Sequence, residues 1–268
     1  MKFLVPFLVF SLLQVEAVAA EDLVDLDEVY CALCHYEESD AFAQSVHYRR
    51  GLMLCNDCHG GLPFEADVEL AKGADSGFIG KPGRDQIAAA CGQCHSAPGD
   101  FFARGPHSEW QNKDNPTCIT CHRNHLVTDA SLMLMDESCA TCHEDGSTAL
   151  EAGGRIRATL QENRDYLAQL QIRLDSLAAL DPGVRRALSH LDEAGVALQE
   201  AGPITHALEL GLIKEKAVEF RAATKRVEKI IADYFQKREQ RHRAVVLVWV
   251  FVAANVALLW WRRRQLDG

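Results

Sequence analysis

The sequence predicts a mainly α protein in three parts. These are a cysteine-rich domain with little regular structure, a helical bundle or coiled-coil stalk, and one C-terminal transmembrane helix. Three observations carry this. All ten cysteines fall between positions 31 and 142. Residues 150–243 hold no cysteine and show apolar residues at alternating steps of four and three. Residues 244–261 read AVVLVWVFVAANVALLWW, without a charge.

The cysteines form five CxxC pairs, and each pair is followed by histidine. The motifs are Cys31-Ala-Leu-Cys34-His35, Cys55-Asn-Asp-Cys58-His59, Cys91-Gly-Gln-Cys94-His95, Cys118-Ile-Thr-Cys121-His122 and Cys139-Ala-Thr-Cys142-His143. Zinc sites or disulfides explain CxxC pairs but not five histidines at one offset. With 11 histidines in 268 residues, five chance matches have a probability on the order of one in ten million. The pattern is that of covalent c-type haem attachment. Two thiols in one turn reach the porphyrin vinyl groups, and the next residue lies under the iron as proximal ligand. The expected cofactor is five haem c groups. The ten cysteines form the thioethers, and His35, His59, His95, His122 and His143 are the proximal ligands.

The N-terminus fits an exported protein. Met1-Lys2 precedes an apolar run from Phe3 to Leu13, and Ala17-Val18-Ala19-Ala20 supplies small residues for cleavage. The domains expected are a signal peptide over 1–20, a pentahaem domain over 21–149, a helical stalk over 150–243, a transmembrane helix over 244–261 and a short tail over 262–268. Eighteen apolar residues are about enough to cross a bilayer core as a helix. Trp260 and Trp261 suit an interfacial belt, and Arg262, Arg263 and Arg264 follow. With an exported haem domain, the expectation is a single-pass protein of the cytoplasmic membrane. The haem domain then faces the periplasm and the C-terminus the cytoplasm.

In the stalk, Ile156, Leu160, Asn163, Leu167, Leu170, Leu174 and Leu177 form the first seam. Asp181-Pro182-Gly183 should end that helix. Val184, Leu188, Leu191 and Leu198 mark a second, which Gly202-Pro203 should break. A third helix is expected to run from Ile204 into the membrane span without a breaker. The seam could close within one chain or between chains, so an oligomer is open. Residues 21–150 carry 22 Asp and Glu against 8 Lys and Arg, whereas residues 151–243 carry 14 against 16. So acidic a domain is a poor nucleic-acid binder and can steer a basic redox partner.

The haem region repeats itself. Cys31, Cys34, His35, Phe42, Ala43 and His47 are matched sixty residues on by Cys91, Cys94, His95, Phe102, Ala103 and His107. Each unit closes with a further CxxCH, and the motif at Cys139 is appended. A lone histidine recurring at one offset reads as a distal iron ligand, so His47 and His107 are candidates. His125, three residues past His122, is a third; its counterpart in the first unit is Leu62.

At this point residues 30–143 resemble the multihaem c-type cytochromes of the doubled-CxxCH kind. In that family a histidine before CxxCH, often after a small residue, and a CHxxH form are familiar distal-ligand settings. The resemblance implies closely spaced haems that pass electrons along a chain.

Five haems need five distal groups, and the haem region has three spare histidines. Met53, Met133 and Met135 are possible further ligands, as are His190 and His206 on the helices. The expected function is electron relay between membrane or periplasmic partners, a membrane-bound respiratory complex or a periplasmic cytochrome. This makes the chain a carrier or electron-transfer subunit rather than an enzyme. The alternative is an oxidoreductase that uses one open haem to reduce a small nitrogen or sulfur oxyanion. Known multihaem nitrite reductases often mark that haem by lysine after CxxC, and here all five positions are histidine.

Overall fold

The computed structural model describes residues 23–109 and 112–266, so the expected signal segment lies outside it. Of the described residues 71% are helical, and none is in a strand. This agrees with the mainly α expectation. It divides into two compact units. One holds the chain up to Cys94 with the segment ending at Ser131; the other holds His95–Glu109 and the chain from Leu132 onward. The boundary therefore cuts across the expected haem domain. His107 and the fifth CxxCH fold with the helical region.

The first unit is made of short helices: α1 (Tyr30–Cys34), α2 (Tyr36–Ala43), α3 (Val46–Arg49), α4 (Cys55–His59), α5 (Val68–Ala71), α6 (Arg84–Gly92) and α8 (Cys118–His122). The α7 helix (Ser96–Phe102) belongs to the second unit. Few side chains are buried here: Val29, Ala32, Ser45, Ala71, Ile87 and Thr117. Several of the helices are instead fixed by caps. Ser45 accepts the Tyr48 N–H at the start of α3, and Asp67 accepts those of Glu69 and Leu70 in α5.

The second unit is a helical bundle of α10 (Thr148–Ala178), α11 (Arg186–Ile204) and α12 (Leu210–Leu266), with α9 (Leu134–Glu137) against α10. The predicted seam is its core: Ile156, Leu160, Leu170 and Leu174 are buried. They meet Leu191, Ala201 and Ile204 of α11 and Ile213, Val227 and Ile231 of α12. The seam thus closes within one chain.

The break at Asp181–Gly183 holds: Asp181 caps a 3-10 turn over Pro182–Val184. The second break does not fall at Gly202-Pro203. The α11 helix runs through Pro203 to Ile204, and the chain bends over Thr205–Leu208, where Leu208 adopts φ 51°. Proline forfeits a single hydrogen bond in a last turn. There the Thr205 hydroxyl donates to the Gly202 carbonyl at 2.6 Å. The third helix accordingly starts at Leu210 and not Ile204.

The last buried residue of α12 is Ile231, and residues 235–266 are exposed throughout. This end contains a candidate membrane span of mean hydropathy 2.2, none of it buried in the fold. It is long and apolar enough to cross a bilayer.

Candidate haem-binding sites

The sequence CxxCH dictates its own local geometry. In a helical turn, residues i, i+3 and i+4 share one face, so both thiols and the imidazole point the same way. Two of the five motifs coincide with one-turn helices, α4 and α8. In both, the third residue of the helix caps the turn. Asp57 accepts the Leu54 N–H at 2.7 Å and Thr120 that of Thr117 at 2.9 Å. Cys31 and Cys34 lie in α1, Cys91 near the end of α6, and Cys139 opens a 3-10 turn. None of the ten cysteines is in a disulfide. Among the described residues no three His, Cys, Asp or Glu side chains converge to hold a bare metal ion.

His59, the histidine of the second CxxCH, is oriented by its neighbours. Its Nδ1–H donates to the Gly80 carbonyl at 2.8 Å, leaving Nε2 as the lone-pair nitrogen. Its own carbonyl accepts from Ile79 N–H. Gly60 lets the 77–80 loop approach: a Cβ there would stand 2.0 Å from the Gly77 carbonyl oxygen. Gly60 has φ 67°, and its repeat counterpart Arg123 has φ 64°. The second repeat therefore keeps the same backbone exit without the glycine.

Two of the lone histidines meet histidines of CxxCH motifs. The His59 and His125 ring centroids are 6.0 Å apart with 29° between planes; those of His107 and His143 are 6.2 Å apart with 27°. Two imidazoles bound end-on to one metal need about 6 Å between centroids. That is the sum of two metal–nitrogen bonds of about 2.0 Å and about 1.1 Å from each nitrogen to its ring centre. The residues present therefore fit a haem iron held between each pair. His206 sits in the bend after α11. Its Nδ1–H donates to the Pro203 carbonyl at 3.1 Å, and His95 is close enough to act on its charge. The bend packs on α7, which His95 opens, and Gly105 admits it: a Cβ there would meet the His206 carbonyl at 2.9 Å.

Burial holds His107, His125 and His206 below the ordinary imidazole range. The proximal rings of His143, His59 and His95 add to this, while at His206 the Pro203 carbonyl opposes it. The neutral form is the one that ligates iron.

The anchors of successive motifs also adjoin. Cys31 acts on Cys55, Cys94 on Cys58, and the Cys91 thiol donates to Cys118. That hydrogen bond holds Cys118 down, at about 7, and with burial pushes Cys91 up. A cleft of about 560 Å³ opens at His125, walled by Glu37, Glu38, Ala41, Ile119 and Leu126.

The other candidates lie as follows. His47 is half-buried in α3, whose Val46 N–H donates to Val127. His190 is a helix-surface residue in a network with Glu193 and Arg226. Met135 packs on the Ile156–Leu160 cluster, Met133 is exposed and Met53 half-buried. One neighbour has no motif to announce it: Lys72 Nζ stands 3.3 Å from His35 Nε2.

A turn that offers two thiols and an imidazole on one face, repeated along the chain and met by further imidazoles, is the arrangement that covalent c-type haem attachment requires. In agreement, residues 40–123 match the family model of cytochrome c7 and related cytochrome c. That segment contains three of the five motifs whole. No curated protein and no solved structure matches the chain.

Proposed function

We propose that this chain is a membrane-anchored pentahaem c-type cytochrome that relays electrons between membrane or periplasmic redox partners of a respiratory chain. One observation carries the reading: His59–His125 and His107–His143 stand at the spacing that two imidazoles take around one iron. Bound haem c supplies an iron that accepts and returns single electrons. The chain's own residues anchor, orient and insulate it. The ten cysteines hold the macrocycles, and His35, His59, His95, His122 and His143 ligate from one side. His125 serves opposite His59, His107 opposite His143 and His206 opposite His95. His47 is left for His122, a pairing supported by the hydrogen bond from α3 to Val127, five residues past His122. The interactions among cysteines of the first four motifs support an electron path along those motifs.

The secretory signal and the exposed apolar end of α12 support export of the haem region with the Arg tail inside. The acidic composition of the haem region favours a basic partner protein, on encounter-rate grounds. The reductase alternative needs an iron without a sixth ligand, and this inventory fills four of five.

The test is the full chain purified in detergent. The expected result is five haems per chain, oxidised iron of which at least about four-fifths is low-spin by electron paramagnetic resonance, and retention in membranes through alkaline carbonate. A high-spin signal that shifts with nitrite, together with nitrite turnover, would establish the reductase instead. Release by carbonate would remove the anchor.

A further inference from the structure

We infer that Lys72 is the sixth ligand of the iron carried by Cys31, Cys34 and His35. The inference rests on the pentahaem reading and completes its ligand set. Lys72 Nζ is 3.3 Å from His35 Nε2, while Glu38 lies 4.0 Å from the opposite nitrogen, Nδ1. The amine is thus on the side of the ring that faces an iron. Two nitrogens trans on one metal stand about 4 Å apart, two bonds of about 2 Å each. The amine has less than about 1 Å to withdraw, within reach of a flexible four-carbon stem.

The placement of Lys72 is built. It ends α5, which Asp67 caps. Its N–H bonds to the Val68 carbonyl, and the preceding Ala71 is buried and accepts the Leu62 N–H. The ammonium end lies 5.5 Å from the centre of the Phe78 ring. The 60–80 loop that orients His59 thus also aims Lys72. In a region where acidic groups outnumber basic ones nearly three to one, Lys72 has no carboxylate within 4 Å among the described residues; its polar contact is the imidazole. With lysine at this position the haem of His35 is closed to small anions, and all five irons are six-coordinate.

The test uses the full chain in detergent as wild type, Lys72→Arg and Lys72→His. Arginine keeps the charge but does not ligate iron. The expected result is five haems in each protein and no high-spin iron in the wild type. Lys72→Arg should then turn about one-fifth of the iron high-spin and able to bind carbon monoxide, and Lys72→His should restore the low-spin state. Unchanged low-spin spectra in Lys72→Arg would overturn the inference while leaving the pentahaem reading intact. So would a wild type that already holds one-fifth high-spin iron. A haem count below five, with the Cys31–Cys34 peptide bare, would overturn both.

Discussion

The imidazole rings of His59 and His125 lie 6.0 Å apart, centre to centre, and come from different motifs: His59 closes the second CxxCH and His125 follows the fourth. In the proposed reading this is a ligand offered across the repeat, tying the two halves of the first unit together. His125→Leu keeps the bulk and removes the donor nitrogen. The iron opposite His59 should then become five-coordinate, so that about one-fifth of the iron turns high-spin and binds carbon monoxide. His107→Leu should do the same opposite His143, and the double variant should show the sum, since separate sites add. Spectra of His125→Leu indistinguishable from wild type would break the pairing.

In the proposed ligand set His206 is a further ligand, placed on the bend between α11 and α12, held by the Pro203 carbonyl and packed on α7. His206→Leu should open the iron of His95 while far-ultraviolet circular dichroism reports a bundle weakened by no more than about 1 kcal/mol, the scale of one lost neutral hydrogen bond. Unchanged spin state in a folded variant would mean that His206 only packs the bend.

Much of this was legible along the chain. CxxCH fixes its own face in a single turn, and the seam from Ile156 to Leu177 carries its period openly. The Asp181-Pro182-Gly183 break was legible because it combines a cap, a proline and a glycine. Pro203 misled because proline is costly inside a helix and cheap in a last turn, and only the packing of Ile204 under α12 decides which. His107 sits in the haem repeat by sequence but folds with the helical unit, since α7 and the Cys139 turn bury against the bundle. Lys72 was invisible for another reason. A distal ligand is set by loop closure across some forty residues, and a lysine before a glycine carries no periodic signal.

Arg123 and Gly60 share a backbone exit after CxxCH, at φ 64° and 67° with ψ close to ±180°. That region favours glycine, and another residue held there costs on the order of 1–3 kcal/mol. Arg123→Gly should therefore stabilise the haem region, by about 1 kcal/mol after the added freedom of the unfolded chain is deducted. Denaturant titration followed by haem absorbance measures it. A destabilised variant would show that the Arg123 side chain contributes more than its backbone costs.

Tyr166 of α10 donates its phenol hydrogen to Glu228 of α12, and its ring edge meets Phe220 at 6.4 Å. Burial first, and then the Glu228 carboxylate, push the phenol up to about 12. A folded-state value raised above the unfolded one, about 10, means that the folded chain binds the proton more tightly. The resulting stability is present below pH 10 and is lost as the pH climbs from about 10 towards 12. Tyr166→Phe keeps the ring contact and removes the titrating group. At pH 8 the variant should be weaker by about 1 kcal/mol, the hydrogen bond being partly open to water. Above pH 10 the wild type should lose stability more steeply, so the two unfolding curves converge. Lys216, raised by its contacts with Glu200 and Glu219, titrates in both proteins and cancels from the difference. Parallel curves from pH 8 to 12 would show that the Tyr166–Glu228 contact does not hold α10 to α12.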